Sequence, residues 1–262
     1  MVPGSVFGSR PTLLGHRGLG RGTVDGLREN TVESIVAAAG SGLRWVEFDV
    51  RRTADDALVV GHYPSLAGAE GDGDRFVADL TLEEARGLGA VTLESVLAVL
   101  PEGIGVNLDL KTSMEDALRK PDATTAALVA QVVGYEADRR PLLVSSFDPA
   151  ALLQVGEAAP GTPRSFLTWW GFPLRKAIPA AAHLGVDAVA AHFTSFGPND
   201  ADHAPAFRTA EYAVGLAHEA GLEVVAWCPV PDVARQLLAA GVDAVVVDDV
   251  PRALVALRGV AD

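Results

Sequence analysis

The sequence predicts an α/β protein, a single (β/α)8 TIM barrel with a small insertion between the second and third barrel strands. Three observations predict it. Short apolar runs bounded by Gly, Pro or Asp alternate eight times with segments of helical periodicity. The chain has 262 residues, and a barrel of this kind takes about 250. The composition is 49% hydrophobic but only 6% aromatic, which is typical of parallel strands buried under helices. We therefore treat residues 1–262 as one domain.

The eight short apolar runs are the predicted barrel strands, and the helices fall between them. The strands are Thr12–His16, Leu43–Val50, Gly105–Lys111, Leu142–Phe147, Arg164–Thr168, Ala188–His192, Glu223–Cys228 and Ala244–Asp248. The helices are Thr31–Gly40, Ala123–Ala137, Pro149–Glu157, Pro173–Leu184, Thr209–Ala220, Asp232–Ala239 and Pro251–Leu257.

The long connection after the second strand is predicted to be an insertion of approximately residues 57–103. It contains a further short strand at Leu58–His62 and a Gly/Asp-rich loop at Ala67–Asp74. Two short helices are indicated by Thr81 and Thr92, whose hydroxyls are suited to cap a first helical turn.

Charge and composition exclude several classes of partner. The formal net charge of −13 leaves no basic surface for a nucleic acid. The single cysteine, Cys228, cannot form an internal disulfide. No signal peptide and no apolar run of about 18 residues is visible, so we expect a cytoplasmic protein without stable membrane insertion.

Acidic side chains lie at the ends of the second and third predicted strands. Because side chains alternate along a strand, Glu47 and Asp49 share one face, and Asp109 takes the equivalent face of its own strand. The carboxyl ends of barrel strands form the mouth, where chemistry occurs. Three converging carboxylates favour one divalent cation with oxygen ligands, Mg²⁺ or Ca²⁺.

A second interpretation of these carboxylates is purely structural. Buried acids are often simply paired with arginines, and three arginines lie nearby in the sequence: Arg44, Arg51 and Arg52. We keep this alternative open.

Two histidines, His16 and His62, end the first strand and the strand of the insertion. An imidazole titrates near neutral pH, so a pair beside one mouth suits general acid and general base catalysis. Arg17 and Lys111 would add the positive charge that an anionic phosphoryl group needs. The alternative is that the histidines are structural and that the two cations merely neutralise the acids.

Other candidates carry a weaker signal. Trp227 near the end of the seventh strand is predicted to form an apolar wall for a substrate or a part of the core. Cys228 is interpreted as a packed thiol. The remaining histidines are interpreted as structural: His183, His192, His203 and His218.

Short motifs follow one another along almost the whole chain. They are Gly15-His16-Arg17-Gly18, Glu29-Asn30-Thr31, Glu47-Phe48-Asp49-Val50, Leu58-Val59-Val60-Gly61-His62, Leu80-Thr81-Leu82-Glu83-Glu84, Leu108-Asp109-Leu110-Lys111, Ser146-Phe147-Asp148, Val225-Ala226-Trp227 and Gly241-Val242-Asp243-Ala244-Val245-Val246-Val247-Asp248. In this order they resemble the glycerophosphodiester phosphodiesterase family, from about Leu13 to Pro251.

The resemblance implies the same barrel and insertion, and a role for each candidate. It implies that His16 and His62 form the acid/base pair. It implies that the carboxylates hold the divalent cation, that Arg17 and Lys111 contact the phosphate, and that Trp227 lines the alcohol side. The partner would be a small-molecule phosphodiester, cleaved to glycerol 3-phosphate and an alcohol.

Three positions depart from the usual family pattern. Tyr63 follows His62 where the family usually has Asp, which removes a group that helps to orient the second histidine. Asp109 stands where Glu is common, although a similar Asp-x-Lys occurs in the related phospholipase D enzymes of the spider-venom type. The run after Trp227 is Cys228-Pro229-Val230 instead of Thr-Val-Asn, so substrate contacts there are expected to differ.

Alternative functions follow from the same residues. One is a phospholipase D-like lyase that forms a cyclic phosphate. Another is a catalytically weak barrel that binds a phosphodiester, and a third is an unrelated metal barrel for enolisation or aldol chemistry.

Overall fold

A computed structural model describes residues 5–8, 11–67, 73–197 and 208–260 of the chain. The middle of the predicted loop Ala67–Asp74 and His203 lie outside the described residues.

The strands of the described residues are short and are numbered in chain order. They are β1 (Thr12–Gly15), β2 (Thr23–Val24), β3 (Leu27–Arg28), β4 (Trp45–Arg52), β5 (Leu58–Val60), β6 (Ser65–Ala67), β7 (Asp74–Phe76), β8 (Val91–Thr92), β9 (Gly105–Leu110), β10 (Leu142–Ser146), β11 (Arg164–Leu167), β12 (Ala188–His192), β13 (Glu223–Trp227) and β14 (Ala244–Val247).

Helices follow the barrel strands and are likewise numbered in chain order. They are α1 (Val32–Gly40), α2 (Leu82–Gly87), α3 (Leu93–Val99), α4 (Thr125–Glu136), α5 (Pro149–Ala158), α6 (Leu174–Leu184), α7 (Ala210–Glu219), α8 (Pro231–Ala239) and α9 (Val250–Ala256). The predicted caps of the insertion are confirmed. The Thr81 hydroxyl accepts from the Glu84 amide in a capping box, and the Thr92 hydroxyl accepts from the Ser95 amide.

Eight parallel strands close into the predicted barrel. The order is β1-β14-β13-β12-β11-β10-β9-β4, and β4 pairs with β1 to complete the ring. The insertion extends the sheet at β4, where β5 and then β8 add in antiparallel orientation. The barrel prediction is confirmed. Among the described residues, no helix combines the length and apolar content that a membrane span requires.

Two apolar layers hold the barrel. On β4, Val46, Phe48 and Val50 pack outward in the cluster shared with the helices. The inner cluster includes Leu14, Trp45 and Leu143, each from a different barrel strand. Burying a large apolar side chain contributes about 1.5–3 kcal/mol, so the outward face of β4 anchors the strand while its inward face is free to carry polar residues.

The amino-terminal end of the barrel is closed by aromatic packing. Phe7 is buried and meets Trp45 edge-on, with ring centroids 5.2 Å apart. Trp45 also lies over Gly105, where an added Cβ would come within 2.3 Å of the indole. Among the described residues this packing fills the amino-terminal end, and the cavity described below opens at the carboxyl-terminal mouth.

Candidate active site

The turn after β1 places the first two candidate residues at the mouth. Gly15 makes the turn possible, since a Cβ there would lie 2.2 Å from the Gly18 carbonyl oxygen. Arg17 adopts the left-handed conformation with φ 54°, which is uncommon for a residue other than glycine. Its amide donates to Glu47 Oε2 at 2.8 Å, and its guanidinium donates to Glu29 Oε1 at 2.7 Å. The turn is therefore fixed to the end of β4.

The predicted carboxylates converge as expected from strand parity. Asp49 and Asp109 lie opposite each other in the register of β4 and β9, and Glu47 is two residues earlier on β4. All three are buried, and one oxygen from each lies within 4.8 Å of the others. The structure therefore brings the three predicted carboxylates together, and their role as cation ligands stays a prediction.

Positive charge accompanies the cluster without balancing it. Lys111 Nζ lies 3.1 Å from Asp49 Oδ1 and also pairs with Asp109, and Arg17 Nε lies 3.6 Å from Asp49 Oδ2. Three carboxylates thus face two cations, and Arg17 is shared with a fourth carboxylate, Glu29. An excess of negative charge remains.

The pKa directions reflect this imbalance. Burial, together with the charges of Asp49 and Asp109, raises the pKa of Glu47 well above its usual range. Burial also raises the pKa of Asp109, although Lys111 opposes the shift. At Asp49 burial acts in the same direction, but the hydrogen bond of His62 and the charges around it outweigh burial and lower its pKa. The cluster holds two groups that favour protonation unless further positive charge is supplied.

The cluster fits the divalent cation that the family resemblance implies. Within the described residues, Asp109 Oδ1 is buried and has no hydrogen-bond partner, and an orphaned carboxylate oxygen is costly without one. A cation with oxygen ligands at about 2.0–2.6 Å accommodates donors at this mutual separation. The donors are all oxygens, which suits Mg²⁺ or Ca²⁺.

Among the described residues, the three arginines of the structural alternative make no ion pair or hydrogen bond with Glu47, Asp49 or Asp109. Arg52 pairs with Asp56 and lies 3.8 Å from Asp116 Oδ1, and Arg51 donates to the backbone carbonyl of His62 at 2.6 Å. Arg44 donates to the Thr12 hydroxyl. Neutralisation of the cluster instead involves Arg17 and Lys111.

His16 is held at the mouth by a carboxylate from the neighbouring strand. Its Nδ1 lies 2.5 Å from Asp248 Oδ1, directly after β14. Its Nε2 accepts from Arg17 Nε at 3.2 Å and lies 3.9 Å from Glu47 Oε2. These partners select the tautomer in which Nδ1 carries the proton and Nε2 faces the carboxylate cluster.

His62 is held in the same manner from the other side. β5 runs antiparallel to β4, and His62 Nδ1 lies 3.0 Å from Asp49 Oδ1. The carboxylate partner of His62 in this chain is therefore Asp49, and Tyr63 offers none. The Tyr63 ring meets the His62 ring edge-on at 5.0 Å and is 63% exposed.

A cavity of about 860 Å³ opens between these groups and an aromatic wall. Phe147 and Trp169 stack with centroids 4.3 Å apart, and Trp227 meets both Phe147 and His192 edge-on. Trp170 lies beyond His192. The polar half can receive an anion, and the aromatic half can receive an apolar or cationic group.

The sequence gives too little weight to several residues of the site. Asp248 was given no role, although it is a polar residue at a strand end, which is the signal that found the other acids. His192, interpreted as structural, lines the cavity, with its pKa lowered by burial. Cys228 Sγ lies 3.5 Å from His16 Nδ1. Burial and, to a smaller extent, the negative charge of Asp248 raise the pKa of the thiol far above its usual range.

Comparison with known sequences gives one family. The model of the glycerophosphoryl diester phosphodiesterase family matches residues 16–252. A glycerophosphocholine phosphodiesterase of Eremothecium gossypii is 26% identical, with 91% of this chain and 25% of that protein covered. A glycerophosphodiester phosphodiesterase of Arabidopsis thaliana is 27% identical over 64% of this chain and 60% of that protein. The chain thus spans between a quarter and three-fifths of these two relatives.

Solved structures have the same fold. A putative glycerophosphoryl diester phosphodiesterase of Silicibacter pomeroyi is similar with a TM-score of 0.75 and 26% identity, covering 95% of this chain and 94% of that one. A phosphodiesterase of Oleispira antarctica, in complex with its product sn-glycerol-3-phosphate, has a TM-score of 0.71 and 23% identity, covering 96% and 98% of the two chains.

Proposed function

The chain belongs to the glycerophosphoryl diester phosphodiesterase family, and we propose that it cleaves a glycerophosphodiester to glycerol 3-phosphate and an alcohol. The family match over residues 16–252 supports this proposal. The names of the relatives, glycerophosphocholine and glycerophosphodiester phosphodiesterase, agree with it. The product bound to the Oleispira antarctica phosphodiesterase, sn-glycerol-3-phosphate, is the product that we expect here.

One observation carries the proposal: each of two imidazoles has its Nδ1 on a carboxylate, and both border one carboxylate cluster. His16 is held by Asp248 and His62 by Asp49. Holding Nδ1 fixes the tautomer and leaves Nε2 to exchange a proton with a bound substrate. A barrel that only binds its ligand has no need of two oriented imidazoles.

The histidines divide the proton transfers of the reaction. One Nε2 takes the proton from the attacking hydroxyl, and the other gives a proton to the leaving alcohol oxygen. General acid and base catalysis of this kind contributes about 10²–10⁴-fold each. The attacking hydroxyl is that of water in a hydrolase and that of the neighbouring substrate carbon in a lyase.

Arg17 and Lys111 are proposed to bind the phosphate. Both are largely buried at the mouth, with side chains 8% and 12% exposed. Charge-assisted hydrogen bonds in such a site are about twice as strong as neutral ones. As charge develops on the phosphoryl oxygens, these two donors would stabilise it.

Glu47, Asp49 and Asp109 are proposed to hold one Mg²⁺ or Ca²⁺. When bound, such a cation supplies Lewis-acid stabilisation of the phosphoryl oxygens. The residues orient the site whether or not it is loaded, since Asp49 also fixes His62 and Glu47 also receives the Arg17 amide.

Trp227 is proposed to contact the alcohol portion of the substrate together with the aromatic wall. The indole lines the cavity, and its Nε1 is buried with no partner among the described residues. A buried donor without a partner suits a ligand oxygen that accepts from it.

The direct experiment is release of glycerol 3-phosphate from glycerophosphocholine, glycerophosphoethanolamine and glycerophosphoglycerol. We expect turnover with Mg²⁺ or Ca²⁺, none with EDTA, and a loss of at least about 10²-fold in His16→Ala and in His62→Ala. ³¹P NMR of the product separates a phosphomonoester from a cyclic phosphate, which would reassign the protein as a lyase.

Two outcomes would reject the enzymatic proposal. A folded, cation-loaded protein that releases no alcohol from any of the three diesters would contradict it. Residual activity that is the same in the wild type and in both histidine variants would point to a binding barrel.

A further inference from the structure

A second set of possible metal ligands lies on the opposite side of His16 from the carboxylate cluster. It consists of His16, Cys228 and Asp248, which follow the three adjacent strands β1, β13 and β14. Their donor atoms are a nitrogen, a sulfur and an oxygen, and all lie within 4.8 Å of one another. We name these three residues the thiol triad.

The backbone fixes the thiol triad. The His16 amide donates to the Val247 carbonyl at 3.1 Å, and the Cys228 amide donates to the Val246 carbonyl at 2.9 Å. Cys228 has φ 57°, a left-handed conformation that costs energy outside glycine. This backbone conformation places Sγ 3.2 Å from Asp248 Oδ1 and 3.5 Å from His16 Nδ1.

We propose that the thiol triad binds a thiophilic divalent cation, Zn²⁺ or Cd²⁺, and that this binding inhibits the enzyme. Tetrahedral zinc with bonds of about 2.0–2.3 Å has its ligand atoms roughly 3.3–3.6 Å apart. The two distances from Sγ are already close to this range, and only the separation of Nδ1 and Oδ1, 2.5 Å, has to widen. Three protein ligands leave the fourth position to water or a substrate oxygen.

The thiol triad and the carboxylate cluster select different cations. Glu47, Asp49 and Asp109 offer oxygens alone, which suit Mg²⁺ and Ca²⁺, whereas thiolate and imidazole suit Zn²⁺. Binding at the triad displaces the thiol proton to solvent, and the Nδ1 proton of His16 is transferred to Nε2, which then no longer accepts from Arg17 Nε.

Inhibition follows from the position of His16, and this part of the inference rests on the proposed function. A cation on Nδ1 replaces the hydrogen bond to Asp248 and leaves the proton on Nε2. Nε2 can then no longer take a proton from a substrate, and the ring can no longer become an imidazolium. The other histidine, His62, lies on the Asp49 side and keeps its partner. A single event at Cys228 would therefore disable one half of the acid/base pair.

The test uses the absorption of the cadmium–thiolate bond, which needs no turnover. Cys228 is the single cysteine of the sequence, so any such absorption reports this residue. With excess Mg²⁺ present, we expect the wild type to develop the band with one equivalent of Cd²⁺, and Cys228→Ser to show none. His16→Ala should bind Cd²⁺ at least about tenfold more weakly, since loss even of an outer partner costs roughly that much. Asp109→Asn, the matched control for the carboxylate cluster, should keep the band.

Two results would overturn the binding site. They are the absence of the band in folded wild type, and equal Cd²⁺ affinity in the wild type and His16→Ala, which would mean adventitious binding to a thiol alone. Inhibition is tested separately: Zn²⁺ at saturating Mg²⁺ should suppress phosphodiesterase activity in the wild type, and the inhibitory concentration should rise at least about tenfold in Cys228→Ser. A band without inhibition would reject the regulatory part, and a band in a protein without turnover would reject the proposed function alone.

Discussion

Replacing Asp109 by asparagine is expected to raise the stability of the cation-free protein and to weaken its binding of a divalent cation. Asp109 is buried, Oδ1 has no partner within the described residues, and burial raises its pKa. Asparagine removes one buried negative charge, and its carbonyl oxygen can still accept a hydrogen bond from Lys111. Lys111 keeps its ion pair with Asp49. The raised pKa of Asp109 means that the folded state disfavours its charged form, and each unit of such a shift corresponds to about 1.4 kcal/mol. We therefore expect the cation-free variant to melt about 2 °C above the cation-free wild type.

Addition of Mg²⁺ or Ca²⁺ should reverse this order. A ligand at one hundred times its Kd stabilises the folded state by about 2.7 kcal/mol, which is about 5 °C in Tm for a domain of this size. The wild type should gain this increment. The variant lacks one of the three charged ligands and should gain little.

The assay is thermal unfolding followed by circular dichroism, in EDTA and across a titration of each cation. Asp138→Asn is the matched control, since Asp138 is an exposed carboxylate of the described chain and should behave as the wild type. No increment in the wild type, or the same increment in Asp109→Asn as in the wild type, would refute a cation site that includes Asp109.

Three further predictions concern the site and the insertion. Asp248→Asn should lower kcat/KM by about 10²–10⁴-fold, because an amide does not hold His16 in the tautomer with the proton on Nδ1. Steady-state kinetics measure this loss. A loss below threefold would contradict the role of Asp248 in orienting His16. Trp169→Ala should raise KM for a choline diester by about tenfold with kcat unchanged, since loss of uniform binding raises KM alone; a fall in kcat would contradict this. The pKa of Glu84 is lowered to about 2 by hydrogen bonds from Arg75 and then from the Thr81 amide. A carboxyl group whose pKa is lowered by folding stabilises the folded state above its ordinary pKa, and this stabilisation is lost as the pH falls through the folded pKa. Hydrogen-exchange protection of α2 should therefore decline from pH 4.5 toward about 2. A decline of equal size in Glu84→Ala would refute the attribution to Glu84.

Much of the barrel could be predicted because periodicity and length both constrain it. The predicted second strand, Leu43–Val50, is observed at Trp45–Arg52, and the predicted helix Ala123–Ala137 is observed at Thr125–Glu136. The short hairpins β2–β3 and β6–β7 were not predicted. Strands of two or three residues contain too few alternations to show a period, so their pairing is set by the turns and by tertiary contacts.

The carboxylate cluster could be predicted because side chains alternate between the two faces of a strand. Glu47 and Asp49 must share a face, and the parallel pairing of β4 with β9 brings Asp109 opposite Asp49. The partner of His16 is Asp248, which the pairing of β1 with β14 places beside it. An aspartate that directly follows a strand is also typical of a strand boundary, so its position alone does not indicate this contact.

The aromatic wall and the thiol triad depend on loop conformation. Trp169 and Trp170 follow β11 in a connection without periodicity, and both are more than half exposed. Cys228 contacts His16 from a left-handed backbone conformation. A φ angle of this kind is not encoded by residue type outside glycine and the small polar residues, so the sequence alone favours a packed thiol at this position.

The pH dependence of kcat/KM for the wild type, His16→Ala and His62→Ala tests the central claim most directly. If the two imidazoles are the general acid and the general base, the wild type gives a bell-shaped profile whose limbs report one group each. Each variant should lose a different limb in addition to at least about 10²-fold in rate. Profiles that keep both limbs in either variant would contradict the claim that the two histidines perform the proton transfers.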